Sequence, residues 1–136
     1  MLFRSGKVTW NSVTGATGYE ISIAGSTFES ATSGVDKNSA ITAATGSREV
    51  RVRAVTTNAN YNTPGTVGSK TVTVYSLTVN KGTGISAVTG AGNYISGRSV
   101  TITATAQSGY TFKAWTGDCT ATTASATITE IGRAHV

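Results

Sequence analysis

The 136-residue sequence contains few of the residues that usually carry chemistry. It has one cysteine (Cys119), one proline and one histidine (His135), and only 12% of its residues are charged. A lone cysteine excludes an internal disulfide bond, and it is a poor nucleophile because the single histidine lies in the tail that is set aside below. No apolar run approaches the ~20 residues that a membrane-spanning helix needs. The composition therefore argues against a disulfide scaffold and against a membrane span in this segment.

Both ends of the chain look unlike natural protein sequence. The tail, Glu-Ile-Gly-Arg-Ala-His-Val at 130–136, matches the translation of a common short-read sequencing adapter, and the head, Met-Leu-Phe-Arg-Ser at 1–5, matches that of its reverse complement. Segments of such origin are excluded from fold reasoning. We therefore expect the native part to span residues 6–129 and to be cut at both ends. His135 falls in the tail, which excludes a histidine-dependent triad or metal site from the native part.

The charge balance is mildly basic. The formal charge of +5 falls to about +3 when the two adapter-like arginines, Arg4 and Arg133, are set aside. The remaining basic residues are scattered along the chain, whereas nucleic-acid binding requires a concentrated basic surface. The sequence therefore predicts no nucleic-acid partner.

Apolar and polar residues alternate in short segments, and no segment shows the 3.6-residue period of an amphipathic helix. In the clearest strand, residues 49–55, Val50, Val52 and Ala54 form one apolar face. Arg51 and Arg53 lie on the other face, which favours the wet side of an antiparallel strand over an anion-binding patch. Further short strands are predicted at 8–10, 19–23, 27–30, 40–43, 69–74, 77–79, 100–105 and 126–128. Such strands, separated by turns, predict an all-β fold.

The second half of the chain is organised around an aromatic stretch at 109–118, Gly-Tyr-Thr-Phe-Lys-Ala-Trp-Thr-Gly-Asp. Tyr110 and Phe112 alternate with polar residues, which predicts a half-buried strand with both rings in the core. Trp115 breaks the alternation, so we expect it to lie at the strand end, partly exposed. It is the one candidate for contact with a ligand, for example by stacking on a sugar.

Other motifs give no support for a reaction or a cofactor. Gly82 and Gly84 lack the third glycine and the following helix of a dinucleotide-binding loop, so they are interpreted as turn residues. Calcium requires six to eight oxygen ligands, and no second carboxylate lies near Asp118 in the sequence. We therefore predict no catalytic residue, no cofactor and no metal ligand, and expect that the chain is not an enzyme.

Residues 6–75 resemble a fibronectin type III domain in its bacterial form. The resemblance rests on Val-Thr-Trp at 8–10, Gly-Ala-Thr-Gly-Tyr-Glu-Ile at 15–21, Val-Arg-Val-Arg-Ala at 50–54 and Val-Thr-Val at 72–74. It implies a seven-stranded, immunoglobulin-like β-sandwich that serves as a spacer or binding module in surface and secreted proteins. Two departures stand out: the first strand, ahead of Val8, is missing, and Arg48 lies near the position of the tyrosine that usually opens the sixth strand.

Residues 76–129 resemble a bacterial repeat family related to the internalin B-repeat. The motifs are Gly-Thr-Gly at 82–84, Gly-Ala-Gly-Asn-Tyr at 90–94, Gly-Arg-Ser-Val at 97–100, Thr-Ile-Thr-Ala at 101–104, and the aromatic stretch. The resemblance implies a small all-β repeat module of large bacterial surface or secreted proteins, with a spacer or adhesion role and no catalysis. Some relatives carry a second cysteine after the first. Ser125 and Ala126 stand where it would fall, so we expect Cys119 to be unpaired.

The sequence thus predicts non-catalytic structural or adhesion modules of a larger bacterial protein, located at the cell surface or outside the cell. Two alternatives remain open. The modules are accessories of a secreted polysaccharide-degrading enzyme, or they bind carbohydrate or protein directly through Trp115. The partners to be expected are accordingly a polysaccharide or a host or cell-surface protein.

Overall fold

The computed structural model describes residues 1–4, 6–61 and 64–128, and these are almost entirely β-structure. The prediction of an all-β fold is confirmed. The chain forms two compact units, Met1–Thr73 and Val74–Val136. The adapter-like tail at 130–136, with His135, lies outside the described residues.

The first unit contains two antiparallel sheets. One has the strand order β1-β2-β5 and the other the order β4-β3-β6-β7. The elements in chain order are β1 (Leu2–Arg4), β2 (Lys7–Thr9), β3 (Gly18–Ile23), β4 (Glu29–Ala31), β5 (Val35–Asp36), α1 (Asn38–Ile41), β6 (Gly46–Val55) and β7 (Gly68–Leu77), whose last residues belong to the second unit.

Apolar side chains from both sheets of the first unit are withdrawn from solvent. Val8 of β2 and Ile21 of β3 are fully buried, and so are Val50 of β6 and Ile41 of α1. In β6 the predicted alternation holds at Val50 and Val52, which are buried on either side of the half-buried Arg51, whereas Ala54 is only half-buried. Burying a side chain of this size contributes roughly 1.5–3 kcal/mol, so these few residues supply much of the driving force for folding.

A strand lies ahead of Val8, where the sequence predicts none. Leu2–Arg4 form β1 and pair antiparallel with β2, in a register that places Phe3 opposite Val8. The difference arises because the head was set aside as adapter-like, although Leu-Phe-Arg is compatible with a strand. The interpretation of residues 1–5 as adapter stays a prediction.

The sequence predicts a weak strand at 40–43, but the structure has one helical turn, α1 (Asn38–Ile41), that overlaps the start of this segment. The turn starts where the backbone N–H of Asn38 donates to Oδ1 of Asp36 at 2.9 Å, and Ile41 N–H donates to the Lys37 carbonyl at 2.9 Å. A single turn is too short to show a helical period in the sequence. Burial of Ile41 holds it in place.

The second unit contains a three-stranded antiparallel sheet of order β11-β10-β8 and a separate pairing between β9 and the end of β7. Its strands are β8 (Ile85–Thr89), β9 (Gly92–Ile95), β10 (Val100–Ala106) and β11 (Ser125–Ile128). The glycine-rich motif at 90–94 therefore ends within a strand, β9. The predicted strands at 100–105 and 126–128 are present as β10 and β11.

One hydrophobic cluster forms the core of the second unit. Its buried members are Leu77, Val79, Val100, Ile102, Trp115 and Ile128, and partly buried residues such as Val88, Tyr94 and Phe112 pack against them. Gly90 closes the turn between β8 and β9 with φ of +106°, and a Cβ at this position would lie 2.8 Å from Cγ2 of Ile102. The turn therefore requires glycine both for its backbone angle and for the space above the core.

Candidate functional site

Trp115, the residue singled out as a ligand contact, is buried in the core of the second unit. Its side chain is only 6% exposed, and the indole Nε1–H donates a hydrogen bond of 3.0 Å to the carbonyl of Thr123. The backbone N–H of Trp115 donates to the Ala121 carbonyl at 2.9 Å. The expectation of a partly exposed ring is thus wrong for this structure, because the indole fills the core and its polar atom is already satisfied.

The aromatic stretch is not a strand. Residues 110–116 have no regular secondary structure, and the rings of Phe112 and Trp115, three residues apart, pack at 5.4 Å between centroids. Tyr110, predicted to be in the core, is instead 55% exposed, and its ring lies directly over Gly84. The alternation in the sequence was misleading because the core is filled by residues three apart rather than two apart.

The described residues bring no set of ionisable side chains together in a way that suggests a metal site. Among them, no group of three or more His, Cys, Asp or Glu side chains lies close enough to hold an ion. Cys119 is partly buried and free, and packs against the core of the second unit. In the part of the chain that is described, no helix has the length and apolarity to cross a membrane.

Arg51 and Arg53 lie against an aromatic ring and a carboxylate on the solvent side of β6. The two guanidinium groups lie 5.2 and 4.0 Å from the ring centroid of Phe28. Arg53 also donates from Nε to Oε2 of Glu20, on the neighbouring strand β3, at 2.7 Å. This is an ordered ion pair with cation–π contacts on a partly covered sheet face. The face is therefore less open to water than the sequence predicts.

A concave feature with a mainly apolar lining lies in the first unit. We call it the Trp10 cleft. It encloses about 370 Å³, within the range of small-ligand pockets, roughly 300–1,000 Å³. The described residues that line it come from β3, β6, the β2–β3 loop, the β6–β7 connection and the chain start: Met1, Trp10, Asn11, Val13, Tyr19, Val52, Ala54, Gly65, Thr66 and Gly68.

Two aromatic rings form a wall of the Trp10 cleft. Trp10 and Tyr19 lie 5.6 Å apart between centroids with their planes tilted by 56°. The backbone of Trp10 is fixed by Ser33, whose hydroxyl accepts from Trp10 N–H at 2.9 Å and donates to its carbonyl at 3.1 Å. The Tyr19 hydroxyl accepts from the backbone N–H of Val13 at 2.7 Å. In this wall the backbone of Trp10 and the side chain of Tyr19 are therefore held by hydrogen bonds.

Another part of the lining of the Trp10 cleft is also held by a backbone hydrogen bond. Gly65 N–H donates to the Ala54 carbonyl at 2.8 Å, which ties the β6–β7 connection to β6. Tyr61 from the same connection packs over Gly15, where a Cβ would lie 2.7 Å from the ring. A smaller cavity of about 80 Å³ adjoins here, sharing Val13, Ala54 and Gly65 with the cleft and adding Tyr61.

Sequence reasoning placed Trp10 and Tyr19 in two predicted strands, at 8–10 and 19–23, but did not find the cleft. The cleft exists because the β6–β7 connection, some fifty residues later in the chain, folds back beside the β2–β3 loop. A signal was present, namely two aromatic residues flanking a glycine-rich loop, but no single-sequence pattern brings the distant segment to them.

Comparison with known proteins finds a similarity for the second unit. Residues 75–131 match the family model described as the divergent InlB B-repeat domain, which is less than half of the chain. This match agrees with the resemblance seen in the sequence for residues 76–129. No curated protein and no solved structure matches the chain. The second unit is therefore similar to a bacterial repeat module, within an all-β protein.

Proposed function

We propose that the chain consists of non-catalytic structural modules of a larger bacterial protein that is secreted or displayed at the cell surface. The observation that carries the proposal is the match of residues 75–131 to the divergent InlB B-repeat domain. Repeats of this kind are expected in extracellular bacterial proteins. The assigned role is to hold neighbouring domains at a distance, with adhesion as an added property of the same surfaces.

The first unit is, in this proposal, a fibronectin type III-like module. Support comes from its strand order, in which β1-β2-β5 form one sheet and β4-β3-β6-β7 the other. This division between two sheets fits the seven-stranded, immunoglobulin-like sandwich that the resemblance implies, with the adapter-like segment Leu2–Arg4 in the place of the missing first strand. The buried residues of both sheets, such as Val8 and Ile21, fit a core between two layers.

Antiparallel pairing suits a mechanical role. Strands β3 and β6 pair over six residues in register from Gly18 opposite Val55 to Ile23 opposite Val50. Pulling such strands along their length requires several hydrogen bonds to break together, whereas peeling breaks them one at a time. A spacer built from such units keeps its length under load until a unit unfolds.

Recovery of the complete gene by long-read sequencing of the source DNA tests the proposal. We expect further repeats related to residues 75–131, together with an export signal or a surface anchor. A polysaccharide-degrading catalytic domain in the same gene would favour the accessory-module alternative. A gene that encodes neither repeats nor an export signal would contradict the proposal.

A further inference from the structure

We propose that the Trp10 cleft binds a neutral saccharide unit, a property that goes beyond the spacer role and does not depend on it. The cleft belongs entirely to the first unit, since every described residue that lines it lies between Met1 and Gly68. The inference moves carbohydrate recognition from Trp115, which is buried in a core, to an aromatic wall that borders open space.

The shape and lining of the cleft select a small ligand with an apolar face. Its volume of about 370 Å³ is in the range of pockets that enclose small molecules. The rings of Trp10 and Tyr19 are held at 5.6 Å, and Val13, Val52 and Ala54 complete an apolar surface. The C–H face of a pyranose ring matches such a wall because it is apolar while the ring edge carries hydroxyl groups.

The polar groups of the cleft select a ligand without charge. None of the described lining residues has a charged side chain, and the charge that remains among them is the α-amino group of Met1, which belongs to the adapter-like head. A charged ligand would lose hydration here without gaining a partner side chain, which is costly in a mainly apolar site. The selection is therefore for a neutral sugar rather than a uronic acid, a phosphate or a peptide carboxylate.

Hydrogen-bonding groups at the wall and rim suit sugar hydroxyls. The Tyr19 hydroxyl accepts from Val13 N–H and keeps its own hydrogen for donation to a ligand oxygen. The side chains of Asn11 and Thr66 lie exposed at the edge and offer both donors and acceptors. Trp10 Nε1 is shielded from solvent and has no acceptor within the described residues. A buried donor without a partner is unfavourable, so a small ring movement that paired it with a ligand oxygen would favour binding.

The adjoining cavity extends the site for a longer glycan. It adds Tyr61, which is 47% exposed and packs over Gly15. A second sugar unit linked to the first would run toward this ring. We therefore expect oligosaccharides to bind more tightly than the single sugar.

The test is NMR titration of the full chain, followed through the indole N–H signals of its two tryptophans. The probes are soluble neutral cello-, manno- and chito-oligosaccharides and the single sugars that compose them, with oligogalacturonate as the charged counterpart and free indole as an apolar aromatic probe. We expect a saturable shift of the Trp10 signal and of the Thr66 amide with at least one neutral oligosaccharide. The Trp115 signal should not move, because its N–H is bonded to Thr123 within a core.

Substitutions separate binding from folding. Trp10→Ala should weaken binding about tenfold, the loss of one stacking contact, and Trp10→Phe should retain part of it. Tyr61→Ala should weaken oligosaccharides but not the single sugar, and Tyr110→Ala, an exposed aromatic of the second unit, should bind as the parent does. If Trp10→Ala does not fold, the proposal is tested by the NMR signals that shift in the parent protein and by the binding of Tyr61→Ala. The proposal is overturned if no neutral oligosaccharide moves the Trp10 signal, if only oligogalacturonate or free indole does, or if a folded Trp10→Ala binds normally.

Discussion

The guanidinium group of Arg48 connects the start of β6 to the end of α1, and its removal is the most informative perturbation of the first unit. Nε donates to the carbonyl of Ile41 at 3.0 Å, and Nη2 donates to that of Ala40 at 3.0 Å. These carbonyls belong to the single turn of α1. In the family that the first unit resembles, a tyrosine near this position bonds back to upstream backbone. Arg48 makes an equivalent contact with two donors in place of one.

The loss of stability expected on removal of the Arg48 side chain follows from these two hydrogen bonds. A hydrogen bond from a charged group contributes about 1.5–3 kcal/mol when covered, and the bond to Ile41 is partly buried, whereas that to Ala40 is exposed and contributes little. We therefore expect Arg48→Ala to lower the free energy of unfolding of the first unit by about 2–3 kcal/mol. Arg48→Lys should recover less than half of this loss, because a lysine ammonium lacks the planar fork that reaches two carbonyls at once.

Native-state hydrogen exchange of the β6 amides measures this loss without interference from the second unit. Lys7→Ala is the matched control, since it removes one positive charge from an exposed position of the same unit and should change the free energy by no more than about 0.5 kcal/mol. Because the acceptors are neutral carbonyls, the Arg48 effect should also persist at high salt. An Arg48→Ala variant as stable as Lys7→Ala would refute the reasoning.

Three further predictions concern other contacts. Trp115→Ala should destabilise the second unit by about 3–5 kcal/mol, as measured by hydrogen exchange of the β10 amides. Tyr110→Ala should destabilise it by less than half as much. Similar losses in the two variants would contradict the assignment of Trp115 to the core. Gly90→Ala should lower the free energy of unfolding more than Gly97→Ala does, as measured by chemical denaturation. Both glycines have positive φ, but only Gly90 has the side chain of Ile102 above it. Equal losses would rule out the steric contribution. A double-mutant cycle on Glu20 and Arg53 should give a coupling of about 0.2–1 kcal/mol that falls with added salt; a coupling that ignores salt would argue against an ion pair.

The sequence was most informative where one face of a strand is buried. Alternation located β6 and β10, since Val50, Val52, Val100 and Ile102 point into cores and a shift of one residue would reverse the pattern. It failed at α1, where one turn is too short to be periodic. It failed again at 110–116, where the chain is irregular and burial of Trp115 depends on backbone bonding to Ala121.

The candidate site was harder to predict than the strands. Exposure of Trp115 was inferred from a break in alternation, but a break in period indicates only that the residue leaves the strand pattern. Whether the ring then turns to solvent or to a core depends on the loop at 119–124, which lies beside it and has no pattern of its own. The Trp10 cleft depends on contact between segments far apart in the chain, and residues 10–19 alone do not specify it.

The central claim is that these β units act mechanically, keeping their folded length under load. Single-molecule force spectroscopy on the full chain tests it directly. We expect discrete unfolding steps, each releasing about 3.3–3.6 Å for every residue freed from a folded unit. Smooth extension without force steps would contradict the account, because a chain that offers no resistance cannot hold other domains apart.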